Sequence, residues 1–123
     1  MERMEEFSIQ GRNFVYIDLS GMKTNEDFIR FTTVAKPVIA KYPEDSVYTI
    51  TNVDDTIFDS ETKGFLAEYM THNKPYVKYG AVIGFDGIKK IMGNTLCKIV
   101  GRKNMHFAFS RETAIEWLLN QKD

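Results

Sequence analysis

At 123 residues, with 43% hydrophobic and 27% charged side chains, the chain has the balance of a globular protein and room for one domain, burying roughly two thirds of the surface its unfolded form exposes. A formal net charge of -1 excludes a protein-wide electrostatic pull on nucleic acid or an anionic membrane. No apolar run approaches the roughly 20 residues that span a bilayer, the acidic start MERMEEF lacks the apolar stretch of a secretory signal, and the single Cys97 has neither a disulfide partner nor zinc-site neighbours, so a cytoplasmic protein without integral membrane association is expected.

Taken in order, Met4 to Gln10 and Asn13 to Leu19 are two alternating apolar runs around Gly11-Arg12, the pattern of a β-hairpin. Val15, Ile17 and Leu19 share one strand face, and Phe14, Tyr16 and Asp18 the other. After Ser20-Gly21, Thr24 with Asp27 three residues on approximates a capping box, and Phe28, Phe31, Ala35, Val38 and Tyr42 follow at helical spacing. Pro37 falls inside that helix and predicts a kink or a broken turn, because it removes a backbone donor and crowds the Thr33 carbonyl. Ser46 to Val53, rich in β-branched residues, is the third strand. Asp59 is placed as the N-cap of a second helix whose buried stripe is Phe65, Leu66, Tyr69 and Met70, with Asn73 suited to a left-handed end and Pro75 barring continuation.

The run Val77 to Gly84, with lysine as its only charge, reads as the central strand of a parallel sheet. Gly84-Phe85-Asp86-Gly87 turns into a third helix on Ile88, Ile91, Met92, Thr95, Leu96 and Ile99, closed by Gly101. Met105 to Phe109 is the last strand. Ser110 caps a fourth helix with Ala114, Ile115, Leu118 and Leu119 on its inner face. The expected fold is α/β, one domain over residues 1–123: a single mixed five-stranded sheet, N-terminal β-hairpin then β-α repeats, with about four helices.

The segments His72-Asn73-Lys74-Pro75-Tyr76-Val77-Lys78, Ala81-Val82-Ile83-Gly84, Gly87-Ile88-Lys89-Lys90-Ile91 and a helix ending Gly101-Arg102-Lys103 together resemble small prokaryotic proteins classed as STAS-like. These are relatives in fold of the sporulation anti-sigma-factor antagonists, also described as similar to the CRAL-TRIO lipid-carrier domain. The likeness extends from Val15-Tyr16-Ile17-Asp18-Leu19-Ser20-Gly21 to Glu116-Trp117-Leu118. It implies a five-stranded sheet with packed helices and a binding role in place of catalysis. In the antagonists a serine at a helix start is phosphorylated to break a protein complex. The nearest position here is Ser60, inside Phe58-Asp59-Ser60, and the chain continues Glu61-Thr62-Lys63 where the antagonists have glycine after the serine.

The candidate binding residues are Asp59, Ser60, Gly84, Gly87, Lys89 and Lys90. Phosphorylation of Ser60 would place new charge at a helix N-terminus and alter a docking surface; an ordinary first-turn serine beside the Asp59 cap is the plainer reading. Gly84 and Gly87 flank a strand-to-helix turn, and Lys89 and Lys90 sit in the first turn against the helix dipole, which hints at an anionic ligand. A solvated helix face explains the same residues. Lys98, Arg102 and Lys103 suit a helix C-terminus, and a nucleic-acid role would need exposed aromatics that Phe107 and Phe109, assigned to a buried strand, do not supply.

His72 reads as a capping or surface residue, His106 as packed and Cys97 as a small buried hydrophobe, with no metal, cofactor or catalytic role expected. Asp18, Asp54, Asp55 and Asp59 cluster near the strand ends where open α/β sheets bind ligands. They lack a paired base, nucleophile or oxyanion loop. Phe7, Phe14, Tyr16 and Tyr48 need a cover, either a helix of this chain or a partner, with a homodimer the simplest partner. Two roles follow: a non-enzymatic module that binds a protein partner or itself, or a small apolar-ligand carrier bordered by Phe28, Phe31, Phe65, Tyr69 and Met92, with a small anionic ligand also accommodated.

Overall fold

The computed structural model describes residues 3–57, 59–86, 94–95, 97–98, 101 and 104–122, without the side chains of Ser60 and Glu61. Along the chain run β1 (Met4–Ile9), β2 (Arg12–Asp18), α1 (Asn25–Ala40), β3 (Val47–Asn52), α2 (Ser60–Asn73), β4 (Val77–Ile83), β5 (Met105–Phe107) and α3 (Arg111–Leu119). The five strands form one sheet in the order β1-β2-β3-β4-β5, with β1 antiparallel to β2 and every other pair parallel. The expected mixed five-stranded sheet is therefore present, with β3 at its centre and Val77–Ile83 one place off it. Three helices are complete among the described residues, against about four expected. Asn94, Thr95, Cys97 and Lys98 are helical too, and the rest of the anticipated third helix, including Ile88, Ile91 and Met92, lies outside the described set.

Local chemistry explains most boundaries. Ile9 pairs with Arg12, so the hairpin turns at Gln10-Gly11, one residue earlier than Gly11-Arg12. Both turn residues have positive φ, 53° and 78°, the mirror-image turn whose twist matches the flanking strands. Thr24 Oγ1 accepts from the Asp27 amide at 3.1 Å, and Asp27 Oδ2 from the Lys23 amide at 3.2 Å, which opens α1 as anticipated. Pro37 does not break α1, which runs on to Ala40. It sits in the last turn on the exposed side of the helix, and Thr33, whose carbonyl it deprives of a backbone donor, is exposed too. Asn73 ends α2 but is buried and not left-handed, its Oδ1 lying 2.9 Å from His72 Nδ1. Ser110 and Thr113 cap α3 reciprocally.

Helices cover both faces of the sheet. On one, Val15, Ile17 and Val47 pack with Phe28, Phe31, Ala35 and Ile39 of α1 and Leu66 and Tyr69 of α2. On the other, Phe14, Tyr48, Ile50, Ala81 and Ile83 pack with Ala114 and Leu118 of α3. Thus α3, a helix of this chain, covers the aromatic face.

That face carries a continuous row of rings. Phe7 stacks on Phe14 at 5.2 Å, Phe14 on Tyr48 at 5.5 Å and Tyr48 on Tyr79 at 6.3 Å. Tyr79 meets Trp117 edge-on at 6.0 Å, and His106 lies flat on Trp117 at 4.3 Å. A bulge makes the row possible. Val47 pairs with Val77 but Tyr48 pairs with Tyr79, so Lys78 is the extra residue and the strand phase shifts to bring Tyr79 beside Tyr48. Asn104 Nδ2 donates to the Val77 and Lys78 carbonyls at 3.0 and 2.6 Å, so the bulge leaves them satisfied. Two arginines hold α3 down. Arg12 sits 5.1 Å above the Tyr48 ring and donates to the Leu118 carbonyl at 2.8 Å, while Arg111 lies over Phe7 and Tyr16 and pairs with Glu5.

One exposed cluster gives a pH signature. The Tyr42 hydroxyl donates to the Glu6 carboxylate, which also pairs with Lys41 Nζ at 2.7 Å. Partial burial, then the hydrogen bond to Glu6 and its charge, push the Tyr42 phenol up to about 12. A phenol whose folded pKa exceeds its unfolded value of about 10 stabilises the fold below that pH and loses the contribution as pH rises towards 12. In an alkaline tyrosinate absorbance titration the difference between wild type and Tyr42→Phe should be a single step that rises late, towards pH 12. A wild-type curve with no late step would contradict the assignment.

Candidate functional site

Because β2 to β5 run parallel, their C-terminal ends emerge at one rim, and the segments leaving them lie side by side. Backbone bonds join these segments. Leu19 N–H donates to the Asn52 carbonyl at 2.9 Å, Gly21 to Asp54 at 3.0 Å, Ile57 to Met22 at 3.1 Å, Val53 to Ile83 at 2.9 Å and Ala108 to Val82 at 2.9 Å. Each segment is thus bonded to its neighbour, the end of β4 accepting from both sides through the Val82 and Ile83 carbonyls, and the rim is one connected surface.

Asn52, the last residue of β3, ties three segments. Its Oδ1 accepts from the Asp54 amide at 3.0 Å, and its Nδ2 donates to the Tyr16 hydroxyl at 3.2 Å. Gly84 leaves β4 against this pair with φ of 77°. A Cβ there would stand 2.6 Å from Asn52 Oδ1 and 2.7 Å from the Asp54 nitrogen, so the close approach admits only glycine.

The acids of the rim serve local structure. Asp18 Oδ1 accepts from the Ser20 amide at 2.9 Å. Asp59 Oδ1 accepts from the Thr62 amide at 2.9 Å while Thr62 Oγ1 accepts from the Asp59 amide at 2.8 Å, which makes Asp59 the N-cap of α2 as anticipated. Asp55 pairs with Lys23 at 3.4 Å, both well exposed. A carboxylate spent on a backbone amide holds a turn in place and has little freedom left for proton transfer.

Of the six candidate binding residues, Asp59, Gly84 and the backbone of Ser60 belong to this rim. Gly87, Lys89, Lys90 and the Ser60 side chain lie outside the described residues. Two rim residues escaped the sequence reading. Asn52 ends a strand of β-branched residues, and asparagine is depleted in strands, so its residue type is the signal that marks it. Phe109, assigned above to the buried last strand, instead follows β5 in a bend and is 94% exposed. The Ser110 cap explains the correction, since the chain must leave the sheet before the helix starts and Phe109 is the residue that turns outward. Phe107 is half-buried and meets Phe85 edge-on at 4.9 Å.

At the opposite end of the rim a groove of about 450 Å³ opens between the start of β1, the exit of β2 and α1, lined by Arg3, Gly21, Met22, Asp27, Arg30, Phe31 and Val34. Neither histidine belongs to either place: His72 packs against Tyr76, and His106 against Trp117. Among the described residues no helix is long and apolar enough to cross a membrane.

No protein-family model and no curated relative matches the chain. Among solved structures it is similar to an uncharacterized protein of the DUF3478 family with a SpoIIAA-like fold from Shewanella loihica PV-4. The TM-score is 0.73 at 13% identity, covering 94% of this chain and 91% of that one. The architecture of this chain is therefore SpoIIAA-like, the anti-sigma-factor-antagonist fold to which the sequence motifs pointed.

Proposed function

We propose that the chain is a cytoplasmic, non-enzymatic interaction module of the STAS-like kind that holds a protein partner, or a second copy of itself, against the strand-exit rim and the first turn of α2. The observation that carries this reading is the exposure of Phe109 on a rim whose backbone is already stitched together. A phenylalanine held 94% in water forgoes the burial that stabilises a fold, and aromatic anchors of this kind dominate binding energy where a partner desolvates them. Ile57, 46% exposed, leaves β3 at the same rim, two strands away from β5. A surface ordered before binding loses little entropy on binding.

The interior weighs against the apolar-ligand carrier. Phe28, Phe31 and Tyr69, which would border its cavity, are buried in the core beside α1 and α2, and Phe31 meets Tyr69 edge-on at 6.2 Å. Emptying such a site for a lipid would forfeit that packing.

The test is co-purification of the tagged chain from its own cytoplasm, then titration of the recovered partner. Phe109→Ser should weaken binding at least tenfold and leave unfolding within about 0.5 kcal/mol of wild type, as for an exposed side chain. Equal affinity would remove the proposal. Native mass spectrometry with organic extraction checks the other reading, because a stoichiometric apolar ligand would make the chain a carrier.

A further inference from the structure

Helix α1 is apolar on two opposite sides. Its inner side, Phe28, Phe31, Ala35 and Ile39, is buried against the sheet. Its outer side carries Ile29, Val34, Pro37 and Ala40, all exposed, and Ile29 and Val34 are two of the four large apolar side chains that stand in water among the described residues. Thr33, between them, turns its hydroxyl back to the Ile29 carbonyl at 2.7 Å, so this polar group is spent on the helix itself. A helix with apolar side chains on both sides is built to be covered on both. The fold covers only one.

The charges select the cover. Near the N-terminal end of the outer side Arg30 reaches back to Glu26 at 2.5 Å, and at the other end Lys41, the C-cap, pairs with Glu6 at 2.7 Å. Lys36 is taken by Glu68 of α2. These pairs leave the outer side without net charge, so a strongly acidic or basic partner, or an anionic membrane, gains no long-range attraction from it. Their order suits the side to itself. Glu26 and Lys41 stand at equal distances on either side of Thr33-Val34, with the apolar residues between them. A two-fold axis at that midpoint lays two copies of α1 antiparallel, sets Glu26 of each against Lys41 of the other, and stacks the apolar stretch on itself. The edge strand β1 offers a second copy no such match, because Glu5 and Glu6 would meet their own like charges there.

We propose that the outer side of α1 is a self-association surface, on which two copies of the chain pack antiparallel about a two-fold axis beside Thr33 and Val34 and leave the strand-exit rim free for another partner. The helix has 16 residues, about four turns. Two such helices bury less than the roughly 1,200 Å² of a standard interface, which makes the dimer weak and its population dependent on concentration.

Sedimentation equilibrium of the full chain from about 10 µM to about 1 mM should show a monomer-dimer equilibrium with its midpoint inside that range. Val34→Asp sets two carboxylates against each other at the axis and should weaken the dimer roughly tenfold or more, while its melting temperature in dilute solution stays near wild type, as for an exposed position. Glu26→Lys and Lys41→Glu should each weaken it about tenfold, because each change is felt twice in a two-fold dimer. An equimolar mixture of those two variants should dimerise again, since both cross-contacts then join opposite charges; a merely structural loss would not recover on mixing. Phe109→Ser should dimerise like wild type. A chain that stays monomeric at about 1 mM, a Val34→Asp variant that dimerises like wild type, or a mixture that associates no better than its components would each overturn the proposal. So would a dimer lost in Phe109→Ser and kept in Val34→Asp, which would place the second copy on the rim. Partner binding at Phe109 is read on a different surface, so the two proposals fail independently.

Discussion

Truncating Phe14 to alanine should lower the free energy of unfolding by about 3–5 kcal/mol, a large share of the roughly 5–15 kcal/mol that holds a domain of this size together. The side chain is fully buried and is the second ring of the row, with Phe7 at 5.2 Å and Tyr48 at 5.5 Å. The variant loses the transfer free energy of the ring, two stacking contacts and the packing of whatever lines the resulting void. Phe14→Leu retains much of the volume and should cost roughly 1–2 kcal/mol. Urea unfolding of the three proteins at two concentrations checks both the size and the cause. If α3 is what covers this face, the losses do not depend on protein concentration; if a second copy is needed, they do. A loss under about 1 kcal/mol for the alanine variant would mean that the aromatic side of the sheet is not a core.

How far the sequence carried depends on the range of the interaction that decides each feature. Helix starts were legible at Thr24, Asp59 and Ser110 because a cap is settled within four residues by a side chain and the amide it accepts from. Strand pairing was legible from alternation and β-branched content. The hairpin was misplaced by one residue because Gln10, not a usual left-handed residue, takes positive φ, and only the pairing of Ile9 with Arg12 reveals it. Pro37 predicts a kink or a broken turn because the rule concerns helix interiors, whereas here it falls in an exposed final turn and the helix runs on to Ala40.

The cover on the aromatic face depended on where α3 lands, which no local pattern encodes. Within the rim, Asp59 and Gly84 announced themselves through residue type. Asn52 stands out only as an asparagine in a strand, and what it does there, joining β3 to Tyr16 and to the turn that Gly84 approaches, rests on contacts distant in sequence. The groove was beyond sequence reading for a similar reason, since it pairs Arg3 from the chain start with Arg30 from a helix.

Gly84→Ala should destabilise the protein by roughly 2–5 kcal/mol and loosen the rim as a unit. The left-handed backbone alone costs an alanine about 1–2 kcal/mol. The added methyl would then stand 2.6 Å from Asn52 Oδ1, 2.7 Å from the Asp54 nitrogen and 2.9 Å from Asp54 Cβ, and forcing that room costs about 1–3 kcal/mol more. One of the three is backbone and the other two belong to short side chains, so no flexible end can swing aside. The Asp54 amide is itself held by Asn52 Oδ1, and the Asp54 carbonyl accepts from Gly21. Displacement at Gly84 therefore passes from β4 to the β3 and β2 exits.

Melting should fall by about 4 °C for each kcal/mol lost, and amide hydrogen exchange should quicken first at Gly21 and Asp54. Gly64→Ala is the control, an exposed helix position where a Cβ meets nothing within 4 Å, and it should stabilise by up to about 1 kcal/mol. Should Gly84→Ala melt with wild type while exchange at Gly21 and Asp54 stays slow, the strand exits move independently, and Phe109 would have no ordered surface from which to anchor a partner.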